Sequence, residues 1–433
     1  MRYRRIITAF AALGMTAGAS AALAPAAQAA NSKAFAVVLC RPSDDDRSPR
    51  TTDWFRNLFT ASGRGTGGLY DFWNDVSYGH LSLDGSEVLT APGDTWFDTG
   101  RTAVDENSRT RLERFDDCVS AAESTVDFGR FYGIIAVYNN HGEFGGIGAG
   151  QVDAHINGHW GRWSETVLEY PDSVNLTAAA HEMGHALGLP HSFDDTQSVC
   201  ANGGKPGEYC DPWDIMSALL VRSFQGNYGD NGNYGNDFIP GDCATWGAYC
   251  NAGPGLGAAY LEQMGWIDPA RQHQGQGIFY LAALNHPEVT QKWGQPAYLE
   301  AHVPIVDDPT HHFYTVEYRV PDGWDAGIGQ PTVLIHEMRA NGQSYLVTAQ
   351  GSGARGANAV FHDAANNVAI VVNGFYSDAP IASITIEPDF TPPPPPTPSG
   401  PPNTGGGSGA GGCGATGCNQ HPPGWHPGPI HFT

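Results

Sequence analysis

Apolar and polar positions divide the chain into a mixed N-terminal region, a β-rich region and a tail without apolar periodicity. Ala34 to Leu39 (AFAVVL) is a continuous apolar run of the kind found in a strand buried on both faces. Thr52 to Thr60 places Trp54, Phe55, Leu58 and Phe59 at helical spacing behind a threonine cap, and Gly67 to Ser77 repeats the pattern with Leu69, Phe72, Trp73 and Val76. Leu81 to Gly85 alternates as a strand and turns, Arg109 to Ser124 predicts a third helix, and Tyr132 to Tyr138 (YGIIAVY) a second buried strand. Asn139 to Gly161 is dense in Gly and His, with weak strand signals over Gln151 to Ile156; His155 and His159 read as solvated loop residues. A further helix is expected after Asp172, Ser173 or Asn175, any of which can cap it. Its stripe is Leu176, Ala180, Met183 and Leu187. Ala258 to Met264 predicts a short helix stopped by Gly265.

After Pro269 the period shortens. Ile278–Ala283, Ala297–Val303, His311–Val320, Thr332–Met338, Ser344–Ala349, Val368–Val372 and Ile381–Ile386 read as strands separated by turns, the pattern of a β-sandwich. From Thr391 to Pro402 the chain is almost pure Pro, and from Gly405 to Gly412 mostly Gly, which makes a stiff and then a flexible spacer. The expected layout is a leader at 1–30, an α+β domain at 31–270, an all-β sandwich at 271–390 and a linker with a Cys-containing tail at 391–433.

Composition adds a compartment. Arg2, Arg4 and Arg5 precede an apolar run from Ile6 to Leu23, and Ala27-Gln28-Ala29 supplies small residues for cleavage, so a secretory signal peptide removed after Ala29 or Ala30 is expected. Its loss takes the formal charge from −23 to about −26. That balance disfavours nucleic acid or an anionic membrane surface as partners, and no terminal apolar segment reads as an anchor. The strand at Ala34 follows the cleavage site too closely for a folded pro-domain between them. In an exported chain the 8 cysteines suggest disulfides. Spacing favours Cys200–Cys210, Cys243–Cys250 and Cys413–Cys418, leaving Cys40 with Cys118. Cys40 as a thiolate latch on a metal is the alternative.

The densest chemistry lies at His181-Glu182-Met183-Gly184-His185-Ala186-Leu187-Gly188-Leu189-Pro190-His191. Residues four apart share a helix face, so His181 and His185 can present two imidazoles to one metal ion. Glu182, one step round, is better placed to take a proton from water than to ligate. Gly188 can adopt the left-handed conformation that ends a helix, Pro190 prevents its resumption, and His191 can return as a third ligand. Three neutral imidazoles leave one tetrahedral position open, as in catalytic zinc sites. His336-Glu337-Met338-Arg339-Ala340 echoes the motif, but Ala340 replaces the second ligand on strand-like sequence, so no metal site is expected there. The Asn/Asp/Gly run from Asn227 to Asp242 reads either as a calcium-binding loop or as a solvated one.

With that HExxHxxGxxH motif and Asp211-Pro212-Trp213-Asp214-Ile215-Met216, the chain resembles the metzincin clan of zinc endopeptidases. Within it the likeness is to the gametolysin and immune-inhibitor-A type secreted peptidases. Phe72-Trp73-Asn74-Asp75-Val76-Ser77-Tyr78-Gly79, Gly265-Trp266-Ile267 and Tyr314-Thr315-Val316-Glu317-Tyr318-Arg319 carry that finer likeness. The resemblance implies a twisted mixed sheet with an active-site helix, zinc on His181, His185 and His191, and Glu182 as general base. It also implies Met216 as the Met-turn beneath the metal and protein or peptide as substrate for a monomeric enzyme. No tyrosine follows Met216 closely, so none is assigned to the transition state. An edge strand within Asn139 to Gly161 would be where an extended peptide substrate pairs. The alternative is a secreted binding or adhesion protein with a vestigial metzincin-like domain.

Overall fold

The computed structural model of the protein describes residues 31–140, 146–170, 174–196, 205–217, 221–224, 252–305, 312–351 and 359–388. The leader, the Asn227–Asp242 run, the spacers and Cys243, Cys250, Cys413 and Cys418 lie outside them. Among the described residues three six-stranded sheets, one two-stranded sheet and a few short helices give a mixed α+β architecture. No described helix is long and apolar enough to cross a membrane.

The first sheet is centred on Phe35–Arg41, whose first six residues are all buried. Glu87–Leu89 and Gly133–Tyr138 lie parallel on its two sides. His159–Glu169 continues the sheet parallel to Gly133–Tyr138, and Ile147–Ile156 closes it antiparallel, as the last strand of the order. Burial on both faces requires two cores. One face holds the helices Thr52–Phe59, Leu69–Val76 and Leu176–Leu187 through Phe55, Phe72, Trp73 and Met183. The other holds Arg111–Ala122, started by a capping box of Thr110 and Glu113 and packed through Phe115 and Val119. Cys118 on that helix is disulfide-bonded to Cys40 on the central strand, the expected pairing. Cys210 is also disulfide-bonded, to a partner outside the described residues.

The Gly- and His-rich stretch is the largest departure from expectation. Ile147–Ile156 and His159–Glu169 form one long hairpin, so His155 and His159 sit on strands, both exposed. Its turn is Asn157-Gly158, with φ of 53° and 78°. Two successive left-handed residues, Asn then Gly, are the sequence signature of a two-residue hairpin turn, which the glycine-diluted alternation around it obscures.

Beyond residue 270, a pair of six-stranded sheets face each other across Leu281, Val316, Ile335, Ile370 and Ile384. The expected strands are present, and Ala359–Asp363, Gln272–Gln274 and Gln291–Lys292 add to them. The single strand expected over Ala297–Val303 is two, Gln295–Tyr298 in one sheet and Glu300–Pro304 in the other. Buried polar contacts join this sandwich to the N-terminal region. Arg319 pairs with Asp325 (Nε–Oδ2 2.6 Å), whose other oxygen accepts from the Gly255 N–H at 3.0 Å, and Glu317 accepts from the Ala258 N–H at the start of the helix Ala258–Gln263. The strand Phe193–Asp194, well before the boundary expected near residue 270, is the edge strand of a sandwich sheet.

Candidate metal centre

The helix Leu176–Leu187 begins at Asn175, whose side chain accepts from the Ala178 N–H at 3.0 Å. Asn175 is thus the cap among the three candidates; Asp172 and Ser173 lie outside the described residues. Leu176, Ala180, Met183 and Leu187 are all buried. The helix ends at Gly188 with φ of 101°, and the Leu189 N–H donates back to Gly184 O at 2.9 Å. Only a residue without a Cβ enters that left-handed position cheaply. The turn brings His191 round to the face that carries His181 and His185, and one ring nitrogen from each of the three lies within 4.8 Å of the others.

All three outward nitrogens are engaged. His181 Nδ1 lies 3.0 Å from Ile215 O, His185 Nδ1 2.7 Å from Leu189 O, and His191 Nδ1 2.9 Å from a carboxylate oxygen of Glu208. A carbonyl only accepts, so the first two contacts assign the proton to Nδ1 and leave the Nε2 lone pairs facing the centre. The His181 and His185 Nε2 atoms are 3.0 Å apart. Two lone pairs at that distance repel unless a cation lies between them, and two imidazoles on one tetrahedral zinc stand about 3.3 Å apart. This donor set fits a zinc ion. Burial holds His181 well below the usual imidazole range, and holds His185 and His191 down at about 4, with neighbouring histidines adding to the effect on His181 and His185 and the Lys205 ammonium on His191. All three are neutral at pH 7, the form that ligates.

Glu182 is the next residue after His181 on that helix and is half-buried. Burial pushes its carboxyl up to about 8, against the pull of the Arg111 guanidinium and a hydrogen bond from the Gly148 backbone. The strand Ile147–Ile156 passes directly over it: a Cβ on Gly148 would lie 2.1 Å from Glu182 O, and one on Gly146 2.8 Å from Glu182 Cγ. Beneath the helix is Met216, fully buried, with its sulfur where a Cβ on Gly184 would come within 2.3 Å. Glycine at 184 therefore lets the methionine reach the underside of the motif. Asp214 fixes the turn, accepting from Met216 N at 2.7 Å and Gly257 N at 2.8 Å. The same turn presents Ile215 O to His181.

Two further neighbours carry no signal in the sequence. Glu208 orients His191, and Tyr209 lays its ring 3.9 Å from the His191 ring and 5.9 Å from that of His181. Tyr209 carries φ of 61°, a costly conformation for an aromatic residue, and is almost fully buried. Its place ahead of Met216, inside a loop without periodicity, gave no spacing signal. A separate cavity of about 480 Å³, lined by Asn74, Tyr78, Arg319 and Trp324 among others, includes none of the three histidines. Neither a scan against protein-family models nor a search of curated proteins finds a match to the chain.

Proposed function

We propose that the protein is a secreted, monomeric zinc endopeptidase of the metzincin type, acting on extracellular proteins or peptides. The observation that carries this reading is the convergence of His181, His185 and His191, each with its outer nitrogen already bonded, next to the half-buried carboxyl of Glu182 on the same helix. Met216 under the helix is what the resemblance leads one to expect. The Cys40–Cys118 disulfide agrees with an oxidising compartment.

Zinc bound by the three imidazoles would supply a Lewis acid for a peptide carbonyl and bring the pKa of a water towards neutrality. Glu182 is the proton carrier, taking a proton from the attacking water at a carboxylate oxygen and delivering it to the leaving amine nitrogen. Loss of solvent lifts its basicity towards neutral pH, and the Gly148 N–H holds its orientation. Ile147–Ile156 ends the sheet, so its outer edge can take an extended peptide as an added strand alongside Glu182.

The test is hydrolysis of casein or gelatin by the purified protein with and without a zinc chelator. Hydrolysis that stops on chelation and returns with added zinc is expected. A protein that holds zinc and cuts nothing would favour the adhesion reading, and hydrolysis indifferent to chelation would overturn the metal mechanism.

A further inference from the structure

We propose that the sandwich contributes to the metal centre: Tyr260 and His336 are positioning residues that fix the backbone at His191, the third ligand. The inference rests on the zinc reading above. His181 and His185 are placed by the helix that carries them, but His191 follows the left-handed turn at Gly188 and has no helix to hold it. Residues 207–217 hold part of it, through Glu208 on the ring and Met216 O on the Ser192 N–H, and the rest comes from residues more than 50 positions later in the chain. The Tyr260 hydroxyl donates to His191 O at 2.6 Å and accepts from the Ser344 N–H of the sandwich strand Ser344–Gly351 at 3.2 Å. Ser192 donates from Oγ to Asp211 Oδ2 at 2.7 Å, and His336 Nε2 meets the same oxygen at 3.0 Å from the strand Thr332–Met338. Phe193 and Asp194 then join the sandwich sheet, paired with Tyr345 and Leu346, with the Phe193 and Tyr345 rings stacked at 4.7 Å. The Asp195 N–H donates to Leu346 O at 2.9 Å.

Five consecutive residues from the ligand onward are thus fastened to the sandwich or to groups bonded to it. Ser192, Asp211 and His336 are all buried, so these contacts are shielded from water and hold geometry as well as charge. Burial alone would lower the His336 imidazole; the Asp211 carboxylate overrides it and holds it at about 9, so it remains a cation at neutral pH and keeps Asp211 in place for Ser192. The histidine in the echo of the metal motif thus faces Asp211, and its service is to the ligand loop.

The experiment measures zinc affinity of the full-length protein by competition with a chromophoric chelator, together with apo-protein melting. Tyr260→Phe removes one hydroxyl at the His191 carbonyl. Tyr314→Phe removes a comparable one, which donates to Asp363 at 2.6 Å within the sandwich away from the histidines. Tyr260→Phe is expected to weaken zinc binding about tenfold, the lower end for partners that orient a ligand. Tyr314→Phe should leave zinc affinity unchanged at similar cost in melting temperature. His336→Gln gives a second reading of the same effect should Tyr260→Phe fail to fold. Equal zinc affinity in wild type and both positioning variants, or equal weakening in Tyr314→Phe, overturns the proposal. A wild-type protein that takes up no zinc would instead remove the reading on which it rests.

Discussion

Glu182→Gln is expected to keep its zinc and lose hydrolysis by a factor on the order of 10³, within the range that general acid–base groups contribute. The amide has nearly the volume of the carboxyl and can still accept from the Gly148 N–H, so the strand above it need not move. What it cannot do is take a proton at neutral pH. His185→Ala provides the contrast, because it removes one of two Nε2 atoms standing 3.0 Å apart and should lose metal and activity together. Zinc per chain by elemental analysis and the initial rate on casein separate the two variants. An active Glu182→Gln protein would remove the carboxyl from the mechanism.

Gly148→Ala is expected to abolish activity almost as completely, through space and not through chemistry. The added Cβ would sit 2.1 Å from Glu182 O and 2.8 Å from His185 Cβ. Neither atom is the tip of a flexible side chain, so the edge strand must lift from the helix. Overpacking of this kind costs about 1–3 kcal/mol, and here it also carries away the N–H that orients Glu182. Gly150→Ala, two residues along the same strand, meets only His185 O at 3.9 Å and should behave as wild type. Melting curves and casein rates for the pair decide the matter; a fully active Gly148→Ala would mean that the strand does not lie against the helix.

These contrasts also mark where sequence reading succeeds. Local periodicity identifies the helices Thr52–Phe59, Leu69–Val76 and Arg111–Ala122 and the buried strands at Phe35 and Gly133, because each encodes its own burial. The histidine cluster is legible for the same reason: two imidazoles share a helix face, and Gly188 announces the turn that returns the third. The hairpin from Ile147 to Glu169 is hidden by glycines that exist to let its edge strand approach the helix, so their purpose appears only in three dimensions. Glu208, Tyr209, Asp211 and His336 are beyond reach for a related reason. Their partners are set by the path of a loop without periodicity and by a sheet that takes its edge strand from the other half of the molecule.

The most direct measurement of the central claim is X-ray absorption at the zinc edge of the purified, zinc-loaded protein. The expected spectrum has imidazole nitrogens at about 2.0–2.1 Å, with multiple scattering that fits three histidines, and one further light scatterer. Replacing His191 with Ala should remove one imidazole from that fit. A protein that binds no zinc, or a spectrum dominated by sulfur at about 2.3 Å, would contradict a centre built on His181, His185 and His191.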